Sequence, residues 1–258
     1  MYKVLLYALV ILHFVGCKQN SQKAETKTME DGESIALTKT NRFFAFDYGT
    51  IAVNRGNKID FYLRNDNGGG WKIQPTATFK LPVGTTNVFS FGGIALGVVK
   101  GNEVNFYVAD SDREWSLSPK LKFTLPAGAT QVFAQGTDAM AVVNGAKLDF
   151  YAADETGKWA IKQGESISIP AENDGVFAMN GDGFGVVTGN KIDFYISDED
   201  TKNKLRPEKS ITIPTNFDGI FSQDRYRFFI ATGDKIEQYA SQESGTFKLN
   251  TKATFTLK

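Results

Sequence analysis

The heptapeptide GNKIDFY stands at positions 56–62 and again at 189–195. Three relatives complete a series: GNEVNFY from Gly101, GAKLDFY from Gly145 and GDKIEQY from Gly233. Successive leading glycines are 45, 44, 44 and 44 residues apart. The heptapeptide therefore marks one place in a unit written five times. Other columns keep the period, among them Phe44, Phe89, Phe133, Phe177 and Phe221, and Tyr62, Tyr107, Tyr151, Tyr195 and Tyr239. A third column has six members, Ile35, Phe79, Phe123, Ile167, Ile211 and Phe255, each 44 residues from the next. An extra copy of the unit's last segment thus precedes the first full unit.

Each unit reads as four short β runs separated by turn signals. In the third they are VFAQ from Val132, MAVV from Met140, KLDFYAA from Lys147 and SISIP from Ser166. The second and third runs meet at Asn144-Gly145, a hairpin signature, with Lys100-Gly101, Thr188-Gly189 and Thr232-Gly233 in the same place. Prolines 82, 126, 170 and 214 follow the fourth run, where they end a strand without removing a ladder hydrogen bond. No segment sustains a helical period. Four antiparallel strands repeated every 44 residues predict an all-β, five-bladed β-propeller with an extra N-terminal strand. The repeats run approximately 43–87, 88–131, 132–175, 176–219 and 220–258.

A column of small residues, Ala45, Ser90, Ala134, Ala178 and Ser222, suits an innermost strand crowded around the axis. The adjoining Phe column is then expected to fill the gaps between blades. In the third run Ile59, Phe61 and Leu63 alternate with Asp60 and Tyr62, so both faces carry bulk, as a sheet packed on two sides requires. The segment around Ile35 is either a clasp on the last blade or an addition to one edge, because KATFTLK already supplies blade five with a fourth run.

The chain opens MYKVLLYALVILHFVGCKQN, with Lys3 ahead of an apolar run too short to span a bilayer comfortably, the pattern of a signal peptide over 1–16. The ending FVGC resembles the lipobox of bacterial lipoproteins, with Phe14 in place of the usual Leu. That resemblance implies lipidation of Cys17 and, with Lys18 following it, an outer-membrane lipoprotein facing the periplasm or the surface. Several acyl chains would hold such a protein at the membrane, since each buried CH₂ contributes about 0.8 kcal/mol. Residues 17–32 read as the lipidated cysteine and a polar tether, and 33–258 as the propeller.

Removing the signal removes the single histidine, His13, and leaves Cys17 as the only cysteine. A mature chain of this composition has no Ser-His-Asp or Cys-His nucleophile, no His or Cys zinc site and no internal disulfide. Of 29 basic and 29 acidic residues only Lys3 is lost, leaving 28 against 29, a net charge of minus one. That balance offers nucleic acid no broad attraction. No catalytic residue, metal site or cofactor is assigned.

Three tryptophans, Trp71, Trp115 and Trp159, are spaced by 44 at the opening of the fourth strand, with Asn203 and Phe247 in the same column. They are candidate ligand-binding platforms for sugars, or interblade packing groups as the replacement by Phe suggests. The loops before them are acidic, and pairs such as Asp110 with Asp112 or Asp198 with Asp200 read either as Ca²⁺ ligands or as ordinary Asp-Gly turns. Glu114, Glu165 and Glu172 break the repeat and are the carboxylates a glycoside hydrolase would need. In repeat length and strand number the chain resembles the five-bladed lectin propellers, whose ligand motifs are not matched here. The expected function is a non-catalytic binding or scaffold module of the cell envelope. It would be held to the membrane by its lipid and meet a protein or glycan on its loop face. A lectin with repeated sites and a hydrolase are the alternatives. The loops PVGTTN at 82–87, PAENDG at 170–175 and PTNFDG at 214–219 differ from blade to blade and are the expected contact surface.

Overall fold

A computed structural model gives residues 42–257 apart from 48, 65–76, 110–114, 137–138, 155, 157, 162–165, 180–182, 199–200 and 243–244, with backbone alone at 119–120, 197–198 and 201–208. The chain divides into Met1–Gly32 and Glu33–Lys258, and every described residue lies in the second unit. The signal, Cys17, the tether, Ile35 and Trp71 lie outside the described residues.

All regular structure among the described residues is β. Blade one comprises β1 (Phe43–Asp47), β2 (Thr50–Asn54), β3 (Lys58–Leu63) and β4 (Ala77–Lys80). Blade two comprises β5 (Thr85–Phe91), β6 (Ala95–Lys100), β7 (Glu103–Ala109) and β8 (Trp115–Thr124). Blade three has β9 (Gln131–Ala134), β10 (Ala139–Asn144) and β11 (Lys147–Ala153), with its fourth strand in two pieces, β12 (Trp159–Ile161) and β13 (Ile167–Ser168). Blade four is β14 (Gly175–Ala178), β15 (Gly183–Thr188), β16 (Lys191–Asp198) and β17 (Thr201–Thr212). Blade five is β18 (Gly219–Asp224), β19 (Arg227–Thr232), β20 (Lys235–Ser241) and β21 (Phe247–Thr256). Each sheet is an antiparallel meander in chain order. The five first strands touch in the closed cycle β1, β5, β9, β14, β18 and back to β1. The fold is a five-bladed β-propeller.

The repeat columns map onto this ring. Gly101, Gly145, Gly189 and Gly233 sit at φ between 58° and 60°, the left-handed conformation a two-residue hairpin demands and a side chain resists. In four blades the heptapeptide supplies that turn and the strand leaving it, whereas in blade one the connection from Asn54 to Lys58 is one residue longer, with Gly56 at φ 92°. The column from Ala45 to Ser222 lies half-buried on the innermost strands. Each first-strand Phe enters the apolar cluster shared with the next blade, and five such clusters fill the five interfaces. The two-sided pattern of the third strand has the same cause. Ile59 and Phe61 pack toward blade two, whereas Tyr62 packs toward blade five.

Register explains a pattern the periodicity left unread. Phe44, Phe89, Phe133 and Phe177 pair with Ala52, Gly97, Ala141 and Gly185, so each ring lies across a residue too small to obstruct it. In blade five the partner of Phe221 is Phe229, stacked on it at 5.0 Å, while Phe43 of blade one stacks against Phe221 at 6.3 Å. Among the described residues, blades five and one are the adjacent pair that no loop joins directly. Their interface holds this aromatic stack and an ionic cluster. Arg42 reaches Asp218 at 3.4 Å, and Arg55 reaches Asp234 at 3.3 Å, Asp60 at 3.7 Å and the Tyr62 hydroxyl at 3.1 Å. Burial pulls the Arg55 pKa down, but the bond to Tyr62 and the charge of Asp234 outweigh it and leave the guanidinium above its ordinary value.

Candidate functional site

The antiparallel meanders sort the connections onto two ends of the ring. First-to-second and third-to-fourth connections share one end. Second-to-third turns and blade-to-blade loops share the other. At that second end the residue after each fourth strand donates its backbone N–H to the hairpin turn: Leu81 to Asn57, Leu125 to Asn102, Ile169 to Ala146, Ile213 to Asn190 and Leu257 to Asp234, at 2.7–3.0 Å. A buried aliphatic at four of these positions drives the latch inward.

The same latch carries different side chains. Val83 is 46% exposed in the first loop, and Ala127, Glu172 and Asn216 are exposed in the others. Asp174 and Asp218 turn back to accept hydrogen bonds from the amides of Gly189 and Gly233. The three loops singled out in the sequence therefore stand on one face, held by one repeated hydrogen bond.

Trp115 and Trp159 open β8 and β12, and both are half-buried. Trp115 stacks on Phe61 of the preceding blade at 5.4 Å and 14°, with Phe46 and Phe79 against its edges. Trp159 repeats this on Phe106 at 6.1 Å and 9°, with Phe91 and Phe123 alongside. Phe247, in the same column, packs on Phe194 at 4.8 Å. One face of each described tryptophan is thus engaged between blades. Such pairs contribute about 0.5–1.5 kcal/mol beyond area burial.

The carboxylates of the repeated heptapeptide are occupied too. Asp60 meets Lys58 at 3.1 Å and accepts from the Thr78 hydroxyl at 2.8 Å. Asp149 meets Lys147 at 2.8 Å and Ser166 at 2.5 Å, and Asp193 meets Lys191 at 2.7 Å and Ser210 at 2.5 Å. Burial pushes the Asp149 and Asp193 pKa values up, yet the bonds from lysine and serine outweigh it and leave both below the usual carboxylate range. The hydroxyl partner on the fourth strand was missed in the sequence. Its signal was a Thr or Ser one residue before the fourth-strand hydrophobe in blades one, three and four.

Of the acidic loop, Asp110, Asp112 and Asp200 lie outside the described residues, as do Glu114 and Glu165, and the side chain of Asp198 is not described. Asp154 accepts from Thr156 and from the amide of Lys158, the geometry of an Asx turn, and these bonds lower its pKa. Among the described residues no group of three or more His, Cys, Asp or Glu is gathered as a metal site would require.

No protein-family model and no curated protein matches the chain. Solved structures give distant likenesses. A functionally unknown protein from Desulfotomaculum acetoxidans is 12% identical, over 84% of this chain and 69% of that one, with a TM-score of 0.43. A protein from Lactobacillus plantarum is 14% identical, over 81% and 68%, at 0.43. A Bacteroides uniformis protein provisionally named a 6-phosphogluconolactonase is 11% identical, over 81% and 68%, at 0.44. At these values the likeness carries nothing about activity.

Proposed function

We propose that the protein is a non-catalytic binding module of the cell envelope, held to the membrane through lipidated Cys17, with its partner, a protein or glycan, on the face of the blade-to-blade loops. One observation supports this reading above the others. The loops share a latch of backbone hydrogen bonds but expose a different set of side chains in each blade. A rigid frame with variable tips is the arrangement on which proteins commonly build recognition surfaces. Unlike loops also suit one irregular partner better than five equal ligands.

Two measurements test it. Acyl groups on the Cys17 peptide, found by mass spectrometry of the full chain from bacterial envelopes, support the anchor, whereas an intact residue 1–16 segment refutes it. Crosslinking on intact envelopes, with the loops at 82–87, 170–175 and 214–219 individually replaced by Gly-Ser sequence, tests the face. Loss of a captured partner in those variants supports it. Retention of the partner in all three, or loss on Trp115→Ala alone, moves binding to the outer grooves and toward a lectin.

A further inference from the structure

The first strands meet around the axis, so among the described strands the fourth of each blade lies outermost, and β4, β8, β12 with β13, β17 and β21 form the rim of the ring. The whole chain balances 29 basic residues with 29 acidic ones, but the rim does not. Its strands hold nine lysines and arginines and a single acid, Glu208. The excess is also uneven. Six of the nine stand on two neighbouring blades, Lys202, Lys204, Arg206 and Lys209 on β17, and Lys248 and Lys252 on β21. β12 and β13 carry none. Lysine on an outer strand deters unwanted strand pairing, but that need is the same in every blade and does not account for the bias.

An apolar column crosses the same rim. Leu117, Ile161 and Leu249 hold one place in blades two, three and five, each opposite the Tyr of its third strand, and they stay 46%, 50% and 42% exposed. Leu249 stands between Lys248 and Lys252, both exposed. The basic strand of blade four is its neighbour: Phe247, at the start of β21, packs at 4.8 Å on Phe194, and Phe194 pairs with Arg206 of β17. Cations beside an exposed aliphatic tip suit an anionic lipid surface. Its headgroups attract lysine and arginine within a Debye length of about 8 Å, and the aliphatic tip gains by leaving water. The chain on the N-terminal side of Arg42 carries Cys17, and Arg42 reaches Asp218 of blade five at 3.4 Å, so it joins the ring beside this part of the rim.

We propose that the rim of blades four and five, formed by β17 and β21, rests on an anionic lipid bilayer. This contact presupposes the envelope location and lipid anchor proposed above and adds an orientation to them. With the ring on its rim, the blade-to-blade loops face sideways and stay free for a partner. The test uses the full chain from bacterial envelopes, incorporated into vesicles of phosphatidylcholine with or without phosphatidylglycerol. One fluorescent label is placed at Leu249→Cys, Leu117→Cys or Ile161→Cys, with its position confirmed by peptide mapping, and its quenching by spin-labelled lipid is read. In anionic vesicles quenching at position 249 should exceed that at the other two severalfold. It should fall to their level in phosphatidylcholine alone, in about 1 M salt, and when Lys248→Gln and Lys252→Gln are added. Equal quenching at the three positions overturns the contact, as does quenching at 249 that ignores lipid charge. A response of the 249 label to dextran sulfate but not to anionic vesicles gives the surface to an anionic polysaccharide and overturns it too. Failure of the anchor reads differently, because a chain without acyl groups separates from phosphatidylcholine vesicles on flotation yet still floats with anionic ones through its rim.

Discussion

Two titrating columns make the ring sensitive to pH at both extremes. The folded pKa values of Asp149 and Asp193 are depressed, so their contribution is present above the unfolded value of about 3.9 and is lost as pH falls through the lower folded values. Burial raises Tyr107, Tyr151, Tyr195 and Tyr239, with nearby carboxylates adding to the last three. Their contribution is present below the unfolded value of about 10 and is lost as pH rises through the higher folded values. Thermal melts from pH 2 to 12 should therefore fall away at each end. Asp149→Asn with Asp193→Asn should flatten the acid limb and cost about 1–2 kcal/mol per site at neutral pH. Tyr151→Phe with Tyr195→Phe should flatten the alkaline limb. An unchanged acid limb in the Asn variant would show that these pairs are not linked to folding. The Asp column was legible in the sequence because it repeats. Its consumption by serine was not, since that hydrogen bond runs between the third and fourth strands, 17 residues apart.

Among elements, the hairpin of first and second strands is packed closely in blades two and four. A Cβ added at Gly97 would meet Phe89 Cζ at 2.3 Å, and one at Gly185 would meet Phe177 Cζ at 2.4 Å. Gly97→Ala and Gly185→Ala should each destabilise by about 1–3 kcal/mol through overpacking. Ala141→Gly, at the same place in blade three, should cost less, about 1 kcal/mol, because it loses only one methyl and some backbone stiffness. Chemical denaturation of the three variants checks the order. Trp115→Ala should cost about 3–5 kcal/mol, since it opens the stack on Phe61 between blades one and two. A loss below about 1 kcal/mol there would favour a tryptophan held for a ligand rather than for packing. The sequence showed a period-44 tryptophan column but left its role open, because a stacking platform and an interblade wedge use the same residue.

At the scale of the whole molecule, the interface of blades five and one joins two blades that no loop connects among the described residues. Its aromatic stack is insensitive to salt, but the ion pairs of Arg42 and Arg55 with Asp218 and Asp234 are not, as both aspartates are more than a third exposed. Exposed pairs are worth about 0.2–1 kcal/mol each. Asp234→Asn should therefore lower stability modestly at low ionic strength, with the difference vanishing near 1 M salt. Phe221→Ala should lower it at every salt concentration. Melting temperatures at several salt concentrations separate the two, and a salt-independent loss in Asp234→Asn would show that shape rather than charge matters there. By itself the sequence determined the number of blades, the strands in each and their order, because an interval of 44 residues with fixed turn glycines is a local property of the chain. Only the tertiary structure decided which blade face meets which neighbour, which carboxylates are consumed by the scaffold and how the last blade meets the first. Those outcomes depend on contacts between residues 17 to 179 positions apart, and a repeat read along the chain contains no information about which repeats touch.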